Sequence, residues 1–179
     1  MKKTNSVIST WLIPTQKDIK RLRLVMDSLS KEYDTPNFLP HITLYSAAIP
    51  QSHADLVRKA VSESVASLTS CAVTTTGIGT SEAYFQAVTL RLTLNSCLKK
   101  IYDALHKKLS AYGSYSFNPH LSLMYGELNE KTRTKIAREL PQIVREPITI
   151  GGIGIIIHKD FEHDQKNIKD WKFEPIRTW

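Results

Sequence analysis

Residues 38–45 read Phe-Leu-Pro-His-Ile-Thr-Leu-Tyr, and residues 117–125 read Phe-Asn-Pro-His-Leu-Ser-Leu-Met-Tyr. The shared pattern is Phe-x-Pro-His-(Ile/Leu)-(Thr/Ser)-Leu, with a tyrosine close behind. In a β-strand, alternate side chains point to the same side. His41 and Thr43 are therefore expected to face one way, while Ile42 and Leu44 pack behind them. His120 and Ser122 repeat this arrangement over Leu121 and Leu123. Pro40 and Pro119 lack an N–H for the ladder, which places each motif at a sheet edge or strand start. Each copy lies between helical patterns, so the chain reads as a duplicated unit with a pseudo-two-fold axis. Two such strands facing one another would present two imidazoles and two hydroxyls to one groove.

Outward from the first copy, Ser6 to Ile13 is a β-rich run ended by Pro14. Thr15, with Asp18 three residues on, opens a helix to about Tyr33 carrying Ile19, Leu22, Met26 and Leu29. Ser52 and Asp55 predict a second helix with Leu56, Ala60, Val65 and Leu68 inward. Ala72 to Ile78 and Tyr84 to Leu94 read as a hairpin, with Thr89, Arg91 and Thr93 toward water. Asn95 or Ser96 caps a third helix with a stripe of Leu98, Ile101, Tyr102, Leu105 and Leu109. Asn118 to Tyr125 is the strand of the second copy. Asn129 caps a fourth helix that must stop by Pro141. Ile148 to Ile157 is an apolar strand, in which Gly151, Gly152 and Gly154 suit close sheet packing better than a phosphate loop. Asp170 to Thr178 is the last strand. About seven strands and four helices, with hairpins mixed among β–α steps, predict an α+β fold with antiparallel sheets.

No linker or charge block divides the 179 residues, so residues 1–179 are expected to form a single domain of two lobes. The balance of 24 Lys and Arg against 17 Asp and Glu gives +7, which favours anionic ligands such as nucleotides or RNA ends. The cations are scattered over helical segments, however, and form no track. The longest apolar run is too short to span a bilayer, and no apolar segment follows Met1-Lys2-Lys3. A cytoplasmic monomer without membrane contact is the expectation. Cys71 and Cys97 are accordingly read as packed thiols and not as a bridge.

The chemistry follows from the pair. A neutral imidazole can take a proton from water while a protonated one gives a proton to the departing oxygen. An unperturbed pKa of about 6.5 allows either form near neutrality. The hydroxyls of Thr43 and Ser122 can hold charge on the non-bridging phosphate oxygens. No carboxylate or thiol lies inside either motif, so no metal and no cofactor is expected. A nucleophile elbow and a Walker loop are both absent from the sequence. His53, His106, His158 and His163 are read as surface residues.

The paired His41-Ile42-Thr43 and His120-Leu121-Ser122 resemble the His-x-(Thr/Ser) motifs of the two-histidine (2H) phosphoesterase superfamily, which includes bacterial RNA ligase-like phosphodiesterases. The chain looks most like its small plant and yeast cyclic nucleotide phosphodiesterases. The likeness extends over Trp11-Leu12-Ile13-Pro14, Tyr84-Phe85-Gln86 and the stretch from Pro119 to Leu128, and fades after about Leu140. It implies a bilobal fold with a groove between two antiparallel sheets and helices outside. It implies hydrolysis of ADP-ribose 1″,2″-cyclic phosphate and nucleoside 2′,3′-cyclic phosphates, the latter to 2′-phosphates, in RNA processing such as the handling of tRNA splicing by-products. His41 and His120 would be the catalytic pair, without assignment of acid and base. Thr43 and Ser122 would bind phosphate, with Trp11, Phe85 and Tyr125 lining the pocket. Tyr45 is the sequence counterpart of Tyr125, although period two puts Tyr125 on the wrong face unless a bulge or strand end corrects it. Two other readings keep the same fold: an RNA 2′,5′-phosphodiesterase, end-trimming nuclease or ligase, and a non-catalytic nucleotide-binding module.

Overall fold

The structure, a computed structural model, describes residues 5–69, 71–158 and 167–179. Thr15 begins the helical part of the chain as the sequence predicts. Its hydroxyl accepts from the Asp18 amide and donates to the Asp18 carboxylate, closing the first turn of α1 (Gln16–Tyr33). Asp18 also accepts from buried Arg21 and from the Thr149 amide, so one carboxylate caps a helix and ties it to a distant strand. Burial alone would raise its pKa, but these hydrogen bonds hold it below the ordinary carboxylate range.

Eight strands and four α-helices alternate along the described residues. β1 (Asn5–Pro14) precedes α1, and β2 (Ile42–Pro50) and α2 (Ala54–Ser64) follow it. β3 (Ala72–Val73), β4 (Thr75–Thr80) and β5 (Val88–Leu92) lead to α3 (Ser96–Leu109) and β6 (His120–Met124). The chain closes with α4 (Glu130–Glu139), β7 (Ile148–His158) and β8 (Glu174–Thr178). The larger sheet runs β2-β1-β7, with β3 and β8 sharing the far side of β7; the smaller runs β4-β5-β6. Every pairing is antiparallel.

The two sheets meet where β2 approaches β6. The helices cross over: α1, which leads into β2, packs on β6, while α3, which leads into β6, packs on β2. α2 lies on β7 and β8, and α4 on β4 and β5. This exchange is the expected pseudo-two-fold relation, built from β1-α1-β2-α2 and β5-α3-β6-α4. One apolar core runs through both halves, from Ile8 and Leu12 to Leu90 and Leu121. No helix among the described residues is long and apolar enough to cross a membrane.

Several local expectations change. Ala72 to Ile78 is split at Thr74, so β3 joins the larger sheet and β4 the smaller. Tyr84 to Gln86 forms a 3₁₀ turn and not the start of a strand. The strand ends at Leu92, leaving Leu94 46% exposed, and Thr89 is buried against the sheet instead of facing water. Ser52 lies in a 3₁₀ turn, α2 starts at Ala54 without a side-chain cap, and Leu56 is 55% exposed. Ala60 and Val65 are buried as expected, and Val57 and Val61 complete the stripe in place of Leu56. Glycines at the last strand pair behave as expected: a Cβ on Gly154 would collide with the Glu174 carbonyl.

Cys71 and Cys97 form a disulfide, contrary to the reading of free thiols. Composition addresses only the compartment, whereas the fold brings the two residues together. Asn95, the cap of α3, donates to the Ala72 carbonyl, and the Ile150 amide donates to Cys71. The Cα atoms consequently stand 6.0 Å apart, within bridging range.

Candidate active site

Pro40 and Pro119 do more than begin a strand. A residue before proline is held extended, which fixes where the carbonyls of Leu39 and Asn118 point. The His41 Nδ1–H donates to the Leu39 carbonyl at 2.7 Å, and the His120 Nδ1–H donates to the Asn118 carbonyl at 2.8 Å. A carbonyl only accepts, so each contact keeps the proton on Nδ1 and leaves Nε2 to accept a proton in the neutral ring or to give one in the protonated ring. Both rings line one cavity of about 200 Å³ between the sheets, together with Thr43 and Ser122.

The tyrosine question is resolved by two matching bulges. In the first half Thr43 pairs with Trp11 and Tyr45 with Thr10, which leaves Leu44 as an extra residue. In the second half Ser122 pairs with Thr89 and Met124 with Val88, which leaves Leu123 extra. A bulge shifts the alternation by one residue. The fifth residue after each histidine, Ser46 or Tyr125, is thereby turned into the cavity. Tyr45 is not the counterpart of Tyr125. It is buried, and its hydroxyl faces the carbonyls of Leu109 and Gly113. Tyr125 stacks on Phe38 at 3.6 Å, and its hydroxyl lies 3.5 Å from His41 Nε2. Burial raises its phenol well above the ordinary value, so it keeps its proton.

The two halves differ in environment. His41 is 7% exposed and lies face to face with Trp11, ring centroids 3.5 Å apart. Burial, the largest cause, pushes its imidazole down to about 4 against the pull of the Leu39 carbonyl; His120 and His158 push the same way as burial. His120 is half-buried. The Ser122 hydroxyl donates to the Phe85 carbonyl at 2.7 Å, whereas the Thr43 hydroxyl makes no hydrogen bond among the described residues.

Trp11 and Phe85 both reach the cavity, but not alike. One face of Trp11 is covered by His41 and the other side is approached by Phe173, so its edge is what remains for a ligand. Phe85 is half-buried in its 3₁₀ turn and meets Tyr125 edge to face at 5.1 Å.

Six further described residues line the cavity that the sequence did not mark as site residues: Ser9, Ser46, Gln86, Tyr115, His158 and Trp171. His158 is 3% exposed and stands edge-on to Trp171 at 4.9 Å, not on the surface as read from its polar flank. The signal was present, since His158 ends an apolar strand and pairs with Val7 two residues from Ser9. His53 is half-buried beside the Tyr112 hydroxyl and His106 is half-buried against Tyr102; His163 lies outside the described residues. No lysine, arginine or carboxylate is among the described residues that line the cavity. Among the described residues no three His, Cys, Asp or Glu are grouped to hold a metal ion.

A family model for cyclic phosphodiesterase-like proteins matches residues 6–173, so the likeness continues well past Leu140. The cyclic phosphodiesterase of Arabidopsis thaliana is 27% identical over 127 residues, covering 71% of this chain and 69% of that protein. The crystal structure of Escherichia coli LigT complexed with 3′-AMP superposes with a TM-score of 0.60 at 10% identity, covering 98% of this chain and 97% of that one. Kluyveromyces marxianus Usb1 gives 0.52 at 12% identity, covering 96% and 99%. At such identities these two structures speak for the fold. The duplicated motif, the two sheets around one groove and the family match over nearly the whole chain converge: this chain belongs to the cyclic phosphodiesterase-like family of the 2H phosphoesterase superfamily, hydrolases acting on phosphoric ester bonds.

Proposed function

We propose that the chain opens small cyclic phosphates, ADP-ribose 1″,2″-cyclic phosphate and nucleoside 2′,3′-cyclic phosphates, without a metal, giving 2′-phosphates from the latter. His41 is the base. It is the ring that burial keeps neutral, and its Nε2 can accept a proton from water. As the water oxygen bonds to phosphorus, the P–O3′ bond breaks and O3′ takes the proton from His120 Nε2. One water is consumed, His41 ends protonated and His120 neutral, and exchange with solvent resets both. Thr43 donates to a non-bridging oxygen. Ser122 joins it once its hydroxyl turns from the Phe85 carbonyl. Tyr125 donates toward His41 or the phosphate and orients the attacking water.

The observation that carries this reading is the repeated hydrogen bond from Nδ1 to the carbonyl two residues back, which aims both Nε2 atoms into one cavity. The test is an assay of ring opening with ADP-ribose 1″,2″-cyclic phosphate, 2′,3′-cyclic AMP and a 2′,5′-linked dinucleotide, with and without chelator. Turnover of the cyclic compounds, insensitive to chelator, is expected. Turnover of the dinucleotide alone points to an RNA 2′,5′-phosphodiesterase, and binding without turnover to a nucleotide-binding module.

A further inference from the structure

The proposed reaction uses the end of the cavity where His41, His120, Thr43 and Ser122 meet. It leaves unexplained a second set of polar groups along the cavity floor. Ser9 on β1 and Ser46 on β2 are cross-strand partners whose hydroxyls bond to each other at 2.9 Å. On the other side of β1, His158 pairs with Val7, diagonal to Ser9. Ser9 and His158 are both buried, at 5% and 3% exposed, and both still line the cavity.

Their position relative to the chemistry follows from the strand register. Thr43 pairs with Trp11, and Ser46 pairs with Ser9, two residues further along β1. At about 3.3 Å per residue this floor lies roughly 7 Å from the level of Thr43. That is the distance at which the rest of a substrate must sit when its cyclic phosphate lies between the two catalytic rings. Buried polar groups facing a cavity are the orienting groups of a ligand site. Their chemistry also states what they fit. Two linked hydroxyls and an imidazole both donate and accept, and no lysine or arginine is among the described residues that line the cavity. Trp171 and Phe85, 5.8 Å apart, wall the same region with aromatic surface.

Resting on the proposed reaction, we infer that Ser9, Ser46 and His158 form a specificity subsite that hydrogen-bonds an uncharged donor–acceptor edge of the nucleoside, a sugar hydroxyl or a base edge, and so select nucleoside cyclic phosphates over simple ones. A site built to hydrogen-bond such a group discriminates strongly against analogues that lack it.

The test compares Ser46→Ala, Ser9→Ala and His158→Gln with the parent chain on three substrates: ethylene cyclic phosphate, methyl riboside 2,3-cyclic phosphate and 2′,3′-cyclic AMP. Each variant is expected to lose about 10-fold or more in kcat/KM on the nucleotide, mostly through KM, and at least 10-fold less on ethylene cyclic phosphate. A loss already present on the riboside assigns the contact to the sugar; a loss that appears only with 2′,3′-cyclic AMP assigns it to the base. Equal losses on all three substrates, or no loss on any, overturn the inference. Calorimetry keeps the test independent of turnover. Should the parent chain hydrolyse none of the three, the proposed reaction fails. The subsite then still requires that the variants bind adenosine 2′-phosphate about 10-fold more weakly while inorganic phosphate binds nearly as before, and equal weakening of both overturns it. The serine variants guard against misfolding of the buried His158 variant.

Discussion

His41 lies beneath Trp11 in the floor of the larger sheet, whereas His120 stands half-exposed at the start of a strand of the smaller one. Both rings are held by the carbonyl two residues back, and both are followed by a hydroxyl residue and a bulged leucine. What the repeat shares is aim; what it does not share is environment. Burial sets the charge state of one imidazole, and Ser122 has its proton committed to a neighbouring turn while Thr43 does not. A duplicated motif thus yields two rings anchored alike but in different surroundings, because each lobe encloses its copy differently.

The comparison breaks first at the histidines. His41→Ala and His120→Ala are each expected to lower kcat by about 10²–10⁴-fold with the fold intact by circular dichroism, the usual scale of acid–base catalysis. Near-parental turnover of cyclic phosphates in either variant removes the pairing. The hydroxyls come next and sharpen the asymmetry. Thr43→Ala is expected to cost roughly 10²-fold in kcat, as for loss of one transition-state donor. Ser122→Ala is expected to cost nearer 10-fold, because its hydrogen bond to the Phe85 carbonyl must first be given up. Equal losses would mean that the two hydroxyls act alike.

A smaller effect tests whether burial is the cause of the lowered His41 pKa. The acid limb of kcat/KM reports the free-enzyme base and is expected near pH 4. Trp11→Ala opens His41 to water and should move that limb upward toward the ordinary value of 6.5. An unmoved limb would assign it to another group. The same shift bears on stability. Between pH 6.5 and about 4 the unfolded chain binds a proton at His41 that the folded chain does not. This residue's contribution is therefore complete above pH 6.5 and lost as pH falls toward 4. At most about 3 kcal/mol is involved. Denaturant melts of His41→Gln should show a flatter dependence across that window than those of the parent chain.

The duplicated strands, the Thr15, Asn95 and Asn129 caps and the glycine-lined β7 were legible because each rests on local chemistry: alternation, a capping side chain, a residue without Cβ. The four residues of the two His-x-(Thr/Ser) motifs were legible for the same reason, since repetition marks them. What escaped depends on register. A bulge at Leu44 and Leu123 leaves no compositional mark, so Tyr45 looked like the partner of Tyr125 when Ser46 holds that place. His158 looked like a surface residue because Lys159 and Asp160 follow it in sequence, while its neighbours in space are Trp171 and the floor of β1. The disulfide likewise depends on two segments meeting across the sheet edge, which spacing along the chain does not reveal.

The most direct measurement is a crystal structure with vanadate or a nucleoside 2′-phosphate in the groove. One vanadate or phosphate group is expected between the two rings, with His41 Nε2 and His120 Nε2 each about 3 Å from oxygens on its opposite sides and the Thr43 hydroxyl on a third. An anion held by only one of the rings, or seated away from both, would contradict this arrangement.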